Sequence, residues 1–216
     1  MYGSEAYNLQ IVDINGGSLR NAIPRESFAT IAVNPSYLKD LEERIQAIKG
    51  EYNIQDPNLS IRVEATSQAH KAMSLEDTKK VTTALYAVHN GVFRFSRAIE
   101  GLVETSSSLA RVIVKDGEFI TQSLQRSSLE SGKYDVAYTV AGPFHLMGCE
   151  VVQQGDYPGW APNPTSAILD ILVAKYKELF NNEEPKVMAI HAGLECGLLG
   201  ERVPGLDMIS FGPTIK

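Results

Sequence analysis

Alternating apolar and polar positions in the first two thirds of the chain predict several short β-strands. Successive side chains of a strand point to opposite faces, so alternation indicates one buried face. Ile61 and Val63, for example, alternate with charged residues. Asp116-Gly117 joins two such segments and is a typical hairpin turn, because both residue types accept the backbone angles of a tight turn. The strands predicted here are 9–14, 27–33, 59–65, 103–114, 118–124 and 149–152.

Apolar residues at helical spacing predict helices between these strands. Leucines and isoleucines between residues 38 and 48 fall on one face, with charges on the other. The segment 74–77 resembles a capping box, in which a serine side chain accepts a hydrogen bond from the first turn of the helix. Gly142-Pro143 is expected to kink or shorten the last of these helices. The predicted helices are 34–49, a helix that starts at 74, and 131–147.

The order of these elements predicts an α+β fold. Two halves share a similar pattern of strands and helices, and each resembles half of a split-βαβ, ferredoxin-like layer. We therefore expect one continuous sheet or two joined sheets, mostly antiparallel, with helices on one face.

The composition changes after Gly155, where a proline-dense connector spans residues 157–164. Such connectors often separate domains, so we predict one domain at 1–156 and a second segment at 157–216. The helix predicted at 166–180 is apolar on most of its surface and requires burial on more than one side. Strands predicted at 187–190 and 207–211 are too few to enclose it. We infer that another subunit or more of the same polypeptide covers this helix.

Composition narrows the classes of protein to which the chain can belong. It has 44% hydrophobic and 21% charged residues, which is typical of globular proteins. No apolar run approaches the roughly 18 residues of a membrane helix, and the first residues do not resemble a signal peptide. The net charge of −6 argues against nucleic acid and anionic membranes as partners. Two distant cysteines are expected to be reduced thiols, so we predict a cytoplasmic protein.

The loop at 191–197 follows a predicted buried strand and combines glycines with ionisable side chains, an arrangement typical of binding sites. Cys196 could act as a nucleophile with His191 as its base, but no cysteine-hydrolase signature supports this. His191 and Glu195 could bind a metal ion, although two ligands do not make a site. The alternative is a structural loop in which Cys196 is merely buried.

A second candidate site is the connection 16–26, which combines two glycines, two arginines and Asn21. An asparagine can bind a ligand carboxylate or carbonyl, and an arginine can bind a carboxylate with two parallel hydrogen bonds. A well-structured turn explains the same residues equally well. Arg126 ends an otherwise apolar or neutral strand, so it is either an anion clamp or a solvated strand end.

Six motifs of the chain, taken in order, carry a family resemblance: 16–26, 90–94, 103–106, 157–160, 191–198 and 207–215. Together they resemble aminoacyl-histidine dipeptidase, also called Xaa-His dipeptidase or bacterial carnosinase. The resemblance runs from about Leu9 to the last residue. It implies an enzyme of the dinuclear-zinc aminoacylase and carboxypeptidase superfamily, with a catalytic α/β domain and an inserted lid that often mediates dimerisation.

The resemblance also implies the chemistry of the parent enzyme, in which two zinc ions activate a water for attack on a dipeptide and a carboxylate acts as general base. This chain lacks the family's metal-binding motifs, and its Glu183-Glu184 pair lies in a polar turn. We therefore expect a fragment: the lid at 1–156 and part of the catalytic domain, a short α/β remnant, at 157–216. It should contain no catalytic residue and no zinc ligand, and it should be inactive alone.

The resemblance also implies roles for individual residues, assigned by their positions in the chain. The loop that contains His191, Gly193 and Glu195 matches the loop that faces the zinc pair from the substrate side. Asn21 matches a lid contact to the substrate, and Arg126 is placed to hold the C-terminal carboxylate of the dipeptide. The expected partners are a dipeptide, the missing catalytic segments and a second copy in a homodimer, with no nucleic acid and no membrane.

Two other functions remain open at this stage. The chain could be a stand-alone α+β module for interaction or dimerisation, without catalysis. Alternatively, its ferredoxin-like halves could sense a small molecule, an idea that rests on fold analogy alone.

Overall fold

The computed structural model of the protein describes residues 2–66, 71–97, 99–161, 163, 165–188 and 195–212. The chain divides into two compact units: Met1–Ala87 with Leu109–Ser123, and Val88–Ser108 with Leu124–Lys216. The strands are β1 (Gln10–Gly16), β2 (Ser27–Ala32), β3 (Gly91–Phe95), β4 (Val103–Lys115) and β5 (Glu118–Ser127). The helices are α1 (Tyr2–Ala6), α2 (Leu38–Glu51), α3 (Leu75–Ala87), α4 (Glu130–Leu146), α5 (Ala167–Leu179) and α6 (Glu195–Arg202).

The sheet is built around the long strand β4. In the first unit β1 pairs antiparallel with β2 and with the C-terminal half of β4, where Asn15 lies opposite Ile113. In the second unit β3 pairs antiparallel with the N-terminal half of β4, where Gly91 lies opposite Ser107. The strand order is β2-β1-β4-β3, and β5 also pairs with β4. This confirms the predicted α+β class and its mostly antiparallel sheet.

Helix α3 supplies much of the interior of the first unit. Its buried residues are Thr78, Val81 and Ala84, and the neighbouring strands bury Ile11, Ala110 and Val114. The Thr78 hydroxyl accepts a hydrogen bond from the Ile11 amide at 3.2 Å, which satisfies a donor where β1 is irregular. The Asp77 amide donates to the Ser74 hydroxyl at 3.0 Å. The predicted cap at the start of this helix is therefore confirmed.

Helix α4 supplies the apolar interior of the second unit. Val136, Val140, Ala141 and Phe144 are buried along it. The helix continues past Pro143 to Leu146, so the proline does not shorten it.

Most predicted elements are confirmed, but three predicted strands are wrong. Residues 59–65, 149–152 and 207–211 form no strand, and no described segment offers them the ladder of hydrogen bonds that a strand requires. Of the strand predicted at 187–190, residues 187 and 188 are not in a strand, and the other two lie outside the described residues. Strand β3 and helices α1 and α6 were not predicted.

Helix α5 confirms the predicted helix at 166–180, and none of its residues is buried. Ile171 is 63% exposed and Leu179 is 74% exposed. The described residues therefore leave this apolar helix uncovered, as the sequence led us to expect. The predicted boundary at 156/157 stays a prediction, and both of its flanks lie in the second unit. No helix within the described ranges is long and apolar enough to cross a membrane.

Candidate functional site

The structure places the predicted site residues on three separate elements. Asn21 lies in the connection between β1 and β2 in the first unit. Arg126 is the penultimate residue of β5, and Glu195 is the first residue of α6, both in the second unit. All three residues are exposed to solvent. His191 and Gly193 lie outside the described residues.

The connection that carries Asn21 is fixed at its base and open at its tip. Gly17 has a φ of +71°, and a Cβ at this position would lie 1.9 Å from the Ala110 carbonyl oxygen, so only glycine fits. Its amide donates to the Glu26 carbonyl at 3.0 Å and closes the base. Ile23 at the tip is 82% exposed. The tip therefore presents Asn21 beside apolar side chains, a composition suited to contact with a ligand or another chain segment.

The backbone that follows Arg126 is held by hydrogen bonds. The Ser127 hydroxyl lies 2.8 Å from the Thr105 hydroxyl and accepts from the Leu129 amide at 3.1 Å. The Ser128 amide donates to the Glu104 carbonyl at 3.0 Å. Because the main chain is fixed on this side, the Arg126 side chain projects from a defined position.

A partly buried ion pair between Arg94 and Glu104 lies next to this turn. The Glu104 residue is 8% exposed, and its carboxylate accepts a hydrogen bond from Arg94 Nε at 2.5 Å. Gly132 of α4 lies against the same group, since a Cβ there would be 2.5 Å from Arg94 Nη2 and 2.9 Å from the Thr105 hydroxyl. The sequence analysis includes Arg94 and Glu104 only as members of family motifs and assigns them no role. Each of the two segments, 90–94 and 103–106, contains one charged residue, Arg94 and Glu104 respectively.

The connector after residue 155 is anchored to the first turns of α4. Lys133 forms ion pairs with Asp156 at 2.5 Å and with Glu130 at 2.8 Å. The Tyr134 hydroxyl donates to Asp156 at 2.8 Å, and Glu130 accepts from the Gly159 amide at 2.8 Å. These contacts hold residues 156–159 along the helix.

These ion pairs shift the protonation equilibria of both partners. Burial lowers the pKa of Lys133, but the hydrogen bonds to Asp156 and Glu130 outweigh it, so the pKa is raised overall. The hydrogen bond from Lys133 and the one from Tyr134 lower the pKa of Asp156 against the opposing effect of burial. Both groups are therefore charged at neutral pH.

The connector also brings the segments of Arg126 and Glu195 to the same place. A Cβ on Gly159 would lie 2.8 Å from the Ser128 carbonyl oxygen, just after Arg126. A Cβ on Gly197, which is buried in α6, would lie 2.5 Å from the Pro158 carbonyl oxygen. The end of β5 and the start of α6 thus both adjoin the backbone of residues 158 and 159. We call this part of the second unit the connector site.

Asp207, in the last of the family motifs, caps α5. Its carboxylate accepts from the Ile168 amide at 3.1 Å, beside the Ser166 hydroxyl that accepts from Leu169 at 3.2 Å. Hydrogen bonds from the Ser166 side chain and from the Ile168 amide lower the pKa of Asp207. A charged carboxylate is favoured at a helix N-terminus, so this residue is explained by capping.

The described residues do not fit a dinuclear zinc centre. Among them, no group of three or more His, Cys, Asp or Glu side chains could hold a metal ion. The suggested pair of Cys196 and His191 lies partly outside the described residues. The chemistry that the connector site offers is recognition of a charged ligand: an exposed guanidinium at Arg126 suits a carboxylate, and Glu195 suits an ammonium group.

Comparison with known proteins shows that the chain is similar to dipeptidases in both sequence and fold. No protein-family model matches the chain. The chain is 38% identical to the cytosol non-specific dipeptidase of Escherichia coli (strain K12), over 98% of this chain and 44% of that protein. The crystal structure of aminoacylhistidine dipeptidase from Vibrio alginolyticus matches with a TM-score of 0.87 and 35% identity. That match covers 99% of this chain and 44% of the other. The chain thus spans less than half the length of either relative.

Proposed function

We propose that this chain, which is similar over nearly its whole length to a segment of dipeptidases, forms the lid and part of the catalytic domain of a zinc-dependent dipeptidase. Residues 1–156 would be the lid, and residues 157–216 would belong to the catalytic domain. The whole enzyme would hydrolyse Xaa-His dipeptides with metal-activated water. The observation that carries the proposal is the match in both sequence and fold to proteins named as dipeptidases.

The two relatives suggest different breadths of substrate. One is named a non-specific dipeptidase and the other an aminoacylhistidine dipeptidase. A free C-terminal carboxylate is common to all dipeptides, so Arg126 would serve either specificity. Selectivity for histidine would come from residues around the second side chain of the dipeptide.

Binding and orientation of the dipeptide are the roles that we assign to this chain. Arg126 would hold the substrate carboxylate, and its fixed main chain would set the position of the peptide bond. Glu195, with His191 and Gly193, would line the substrate side of the catalytic site. Asn21 would contact the substrate from the lid, where the open tip of its loop leaves the side chain accessible.

Two zinc ions would supply the activated water when bound in the whole enzyme. Since the described residues offer no fitting ligand set, we assign the zinc ligands to other segments of the enzyme, and we derive no zinc-dependent step from this chain. The isolated chain is accordingly expected to be inactive. The name of the Escherichia coli relative supports a cytoplasmic location.

A hybrid enzyme tests this proposal. The matched segment of the Escherichia coli dipeptidase is replaced by this chain, and kcat/KM is measured for Ala-His and Ala-Ala together with zinc content. Replacing Asn21, Arg126 or Glu195 with alanine should lower kcat/KM without loss of zinc. For Arg126 the expected fall is about 10- to 100-fold, the usual effect of losing a hydrogen bond to a charged group. Arg62→Ala, at an exposed coil position, is the control. Unchanged kinetics in all three variants would reject the assigned roles.

A second function, dimerisation, is favoured by the position of β2. This strand ends the sheet order and pairs only with β1 among the described strands, and its Phe28 is 64% exposed. An open edge can pair with the same edge of a second copy across a two-fold axis. Light scattering on the purified chain should give the mass of a dimer. If the dimer forms but the hybrid is inactive, the chain is better described as an interaction module.

A further inference from the structure

Lys133, in the first turn of α4, makes contacts that the proposed function does not use. Its side chain is only 13% exposed. The ammonium group pairs with Glu130 at 2.8 Å and with Asp156 at 2.5 Å, and it donates to the Tyr157 carbonyl at 3.1 Å. An ammonium group has three hydrogens to donate. Three acceptors already surround this one, so Lys133 is suited to holding protein segments together and not to binding a substrate.

The segment that Lys133 holds is the start of the connector. Two of its acceptors, at residues 156 and 157, belong to this segment. The third, Glu130, also accepts a hydrogen bond from the Gly159 amide at 2.8 Å. Lys133 therefore fixes two connector residues directly and a third by orienting Glu130. Because these points lie within four consecutive residues, the backbone of 156–159 is held along α4.

The held backbone lies between the segments that carry Arg126 and Glu195. A Cβ on Gly159 would lie 2.8 Å from the carbonyl oxygen two residues after Arg126. A Cβ on Gly197, two residues after Glu195, would lie 2.5 Å from the Pro158 carbonyl oxygen. Both segments thus pack directly on the connector backbone. A displacement of residues 158 and 159 would change the separation of the two segments.

The charges make this arrangement depend on the ammonium group. Glu130 and Asp156 carry like charges, and both lie within 3 Å of Lys133 Nζ. Without the cation these two carboxylates would repel each other and lose a charged hydrogen-bond donor. The Tyr134 hydroxyl would still donate to Asp156, but nothing would then join Asp156 to Glu130. The connector would be free to move away from α4.

We propose that Lys133 is a positioning residue that sets the separation of Arg126 and Glu195, and with it the substrate length that the site accepts. The inference rests on the proposed function, in which Arg126 holds the substrate carboxylate and Glu195 lines the same site. An unblocked dipeptide carries one charge at each end. A fixed separation of the guanidinium and the carboxylate therefore selects substrates by the distance between their charged ends.

Two isomeric substrates test the proposal in the hybrid with the Escherichia coli dipeptidase. β-Ala-Ala has the same atoms as Ala-Ala but one more methylene group in the chain between its charged ends. The hybrid should discriminate between them by about tenfold or more in kcat/KM, the usual effect of one methylene group in a fitted site. Lys133→Met should reduce this to about threefold or less, and Lys133→Arg, which keeps the cation, should stay closer to wild type. The ratio does not depend on the folded fraction of the enzyme, so a purely structural loss would leave it unchanged.

Lys80→Met is the matched control. Lys80 also pairs with two carboxylates, those of Glu76 and Asp77, but it lies on α3 in the first unit and its side chain is 50% exposed. This variant should keep the ratio of the unsubstituted hybrid. Asp156→Asn provides a second reading if Lys133→Met does not fold, because it removes one ion pair and leaves Glu130 paired with Lys133. It should move the ratio in the same direction by a smaller amount.

Three outcomes would overturn the proposal. The first is a ratio that Lys133→Met, or Asp156→Asn in its place, leaves unchanged. The second is a hybrid that hydrolyses both isomers equally well, and the third is a change in ratio of the same size in Lys80→Met. In each of these cases the hybrid is active, so the proposed function stands and only the role of Lys133 is rejected. A folded, zinc-loaded hybrid that hydrolyses neither isomer would reject both, so the two failures are distinguishable.

Discussion

Packing in the second unit requires a glycine at position 132. It lies where α4 approaches Arg94, Thr105 and Ser127, with no room for a Cβ. The hydroxyls of Thr105 and Ser127 are buried and hydrogen-bonded to each other, so displacing one leaves the other unpaired. The cluster supports the turn that follows Arg126, and its integrity therefore bears on the connector site.

Gly132→Ala should destabilise the protein by about 1–3 kcal/mol, as overpacking at a tight position usually does. Gly50→Ala is the matched control, because this glycine also lies in a helix but has nothing within 4 Å of its Cβ position. That control should be neutral or up to about 1 kcal/mol more stable, since alanine is the better helix former. Urea unfolding of both variants measures the difference. Equal stability of the two would contradict the packing described at Gly132.

Asp156 makes the free energy of unfolding depend on pH in the acidic range. Its pKa is lowered by Lys133 and Tyr134, so the pKa in the folded state lies below that in the unfolded state. The stabilisation is complete above the unfolded pKa near 3.9 and is lost as the pH falls through the folded value. Asp156→Asn should remove this contribution, up to about 1 kcal/mol because the pair is partly exposed, and flatten the fall in stability below about pH 4. Unfolding free energies measured across that range check this, and an unaltered slope would count against the Lys133 pair.

At the residue scale, the sequence identified which side chains could bind a ligand, but it did not show which residues are buried or which side chains they contact. Asn21 and Glu195 were selected from their motifs and Arg126 from its place at the end of a strand, and the structure finds all three exposed. The ion pair of Arg94 and Glu104 was not recognised from the sequence. Polar residues of a strand usually face solvent, whereas here Gly132 of α4, distant in sequence, packs next to Arg94.

At the element scale, local signals predicted well and non-local ones did not. The hairpin between β4 and β5 was predicted from Asp116 and Gly117, whose residue types favour the positive φ of a tight turn. The structure has this turn, with φ of 52° and 85° at the two residues. The strand predicted at 59–65 has the right alternation, but no neighbouring strand pairs with it. Alternation predicts a half-buried face, whereas a strand also requires a partner that may lie anywhere in the sequence. Helix α6 was missed because its glycines at 197 and 200 are unfavourable for a helix.

Helix α6 is held against the connector through one glycine, which a pair of variants can test. Gly197→Ala would place a Cβ 2.5 Å from the Pro158 carbonyl oxygen, a backbone atom that cannot move aside cheaply. Gly200→Ala, in the same helix, meets only the end of the flexible Met208 side chain at 3.2 Å. Hydrogen exchange of α6 amides should therefore rise in the first variant and stay near wild type in the second. Equal exchange in both would show that α6 does not rest on the connector.

At the scale of the whole molecule, two observations are consistent with a chain that is part of a longer protein: helix α5 is uncovered, and both relatives are longer than this chain. None of the residues of α5 is buried, although most of them are apolar. In both relatives the matching segment accounts for 44% of a longer chain. The apolar surface of α5 was predictable from composition alone, and the structure leaves it exposed. What covers it stays a prediction that rests on the family motifs, since burial physics does not specify which polypeptide covers a surface.

The central claim is that this chain completes a dipeptidase without supplying its metal centre. The most direct test compares hydrolysis of Ala-His, with zinc supplied, by the purified chain and by the hybrid with the Escherichia coli dipeptidase. We predict no hydrolysis by the chain alone and hydrolysis by the hybrid. Turnover by the 216-residue chain with tightly bound zinc, or a folded and zinc-loaded hybrid without activity, would contradict the claim.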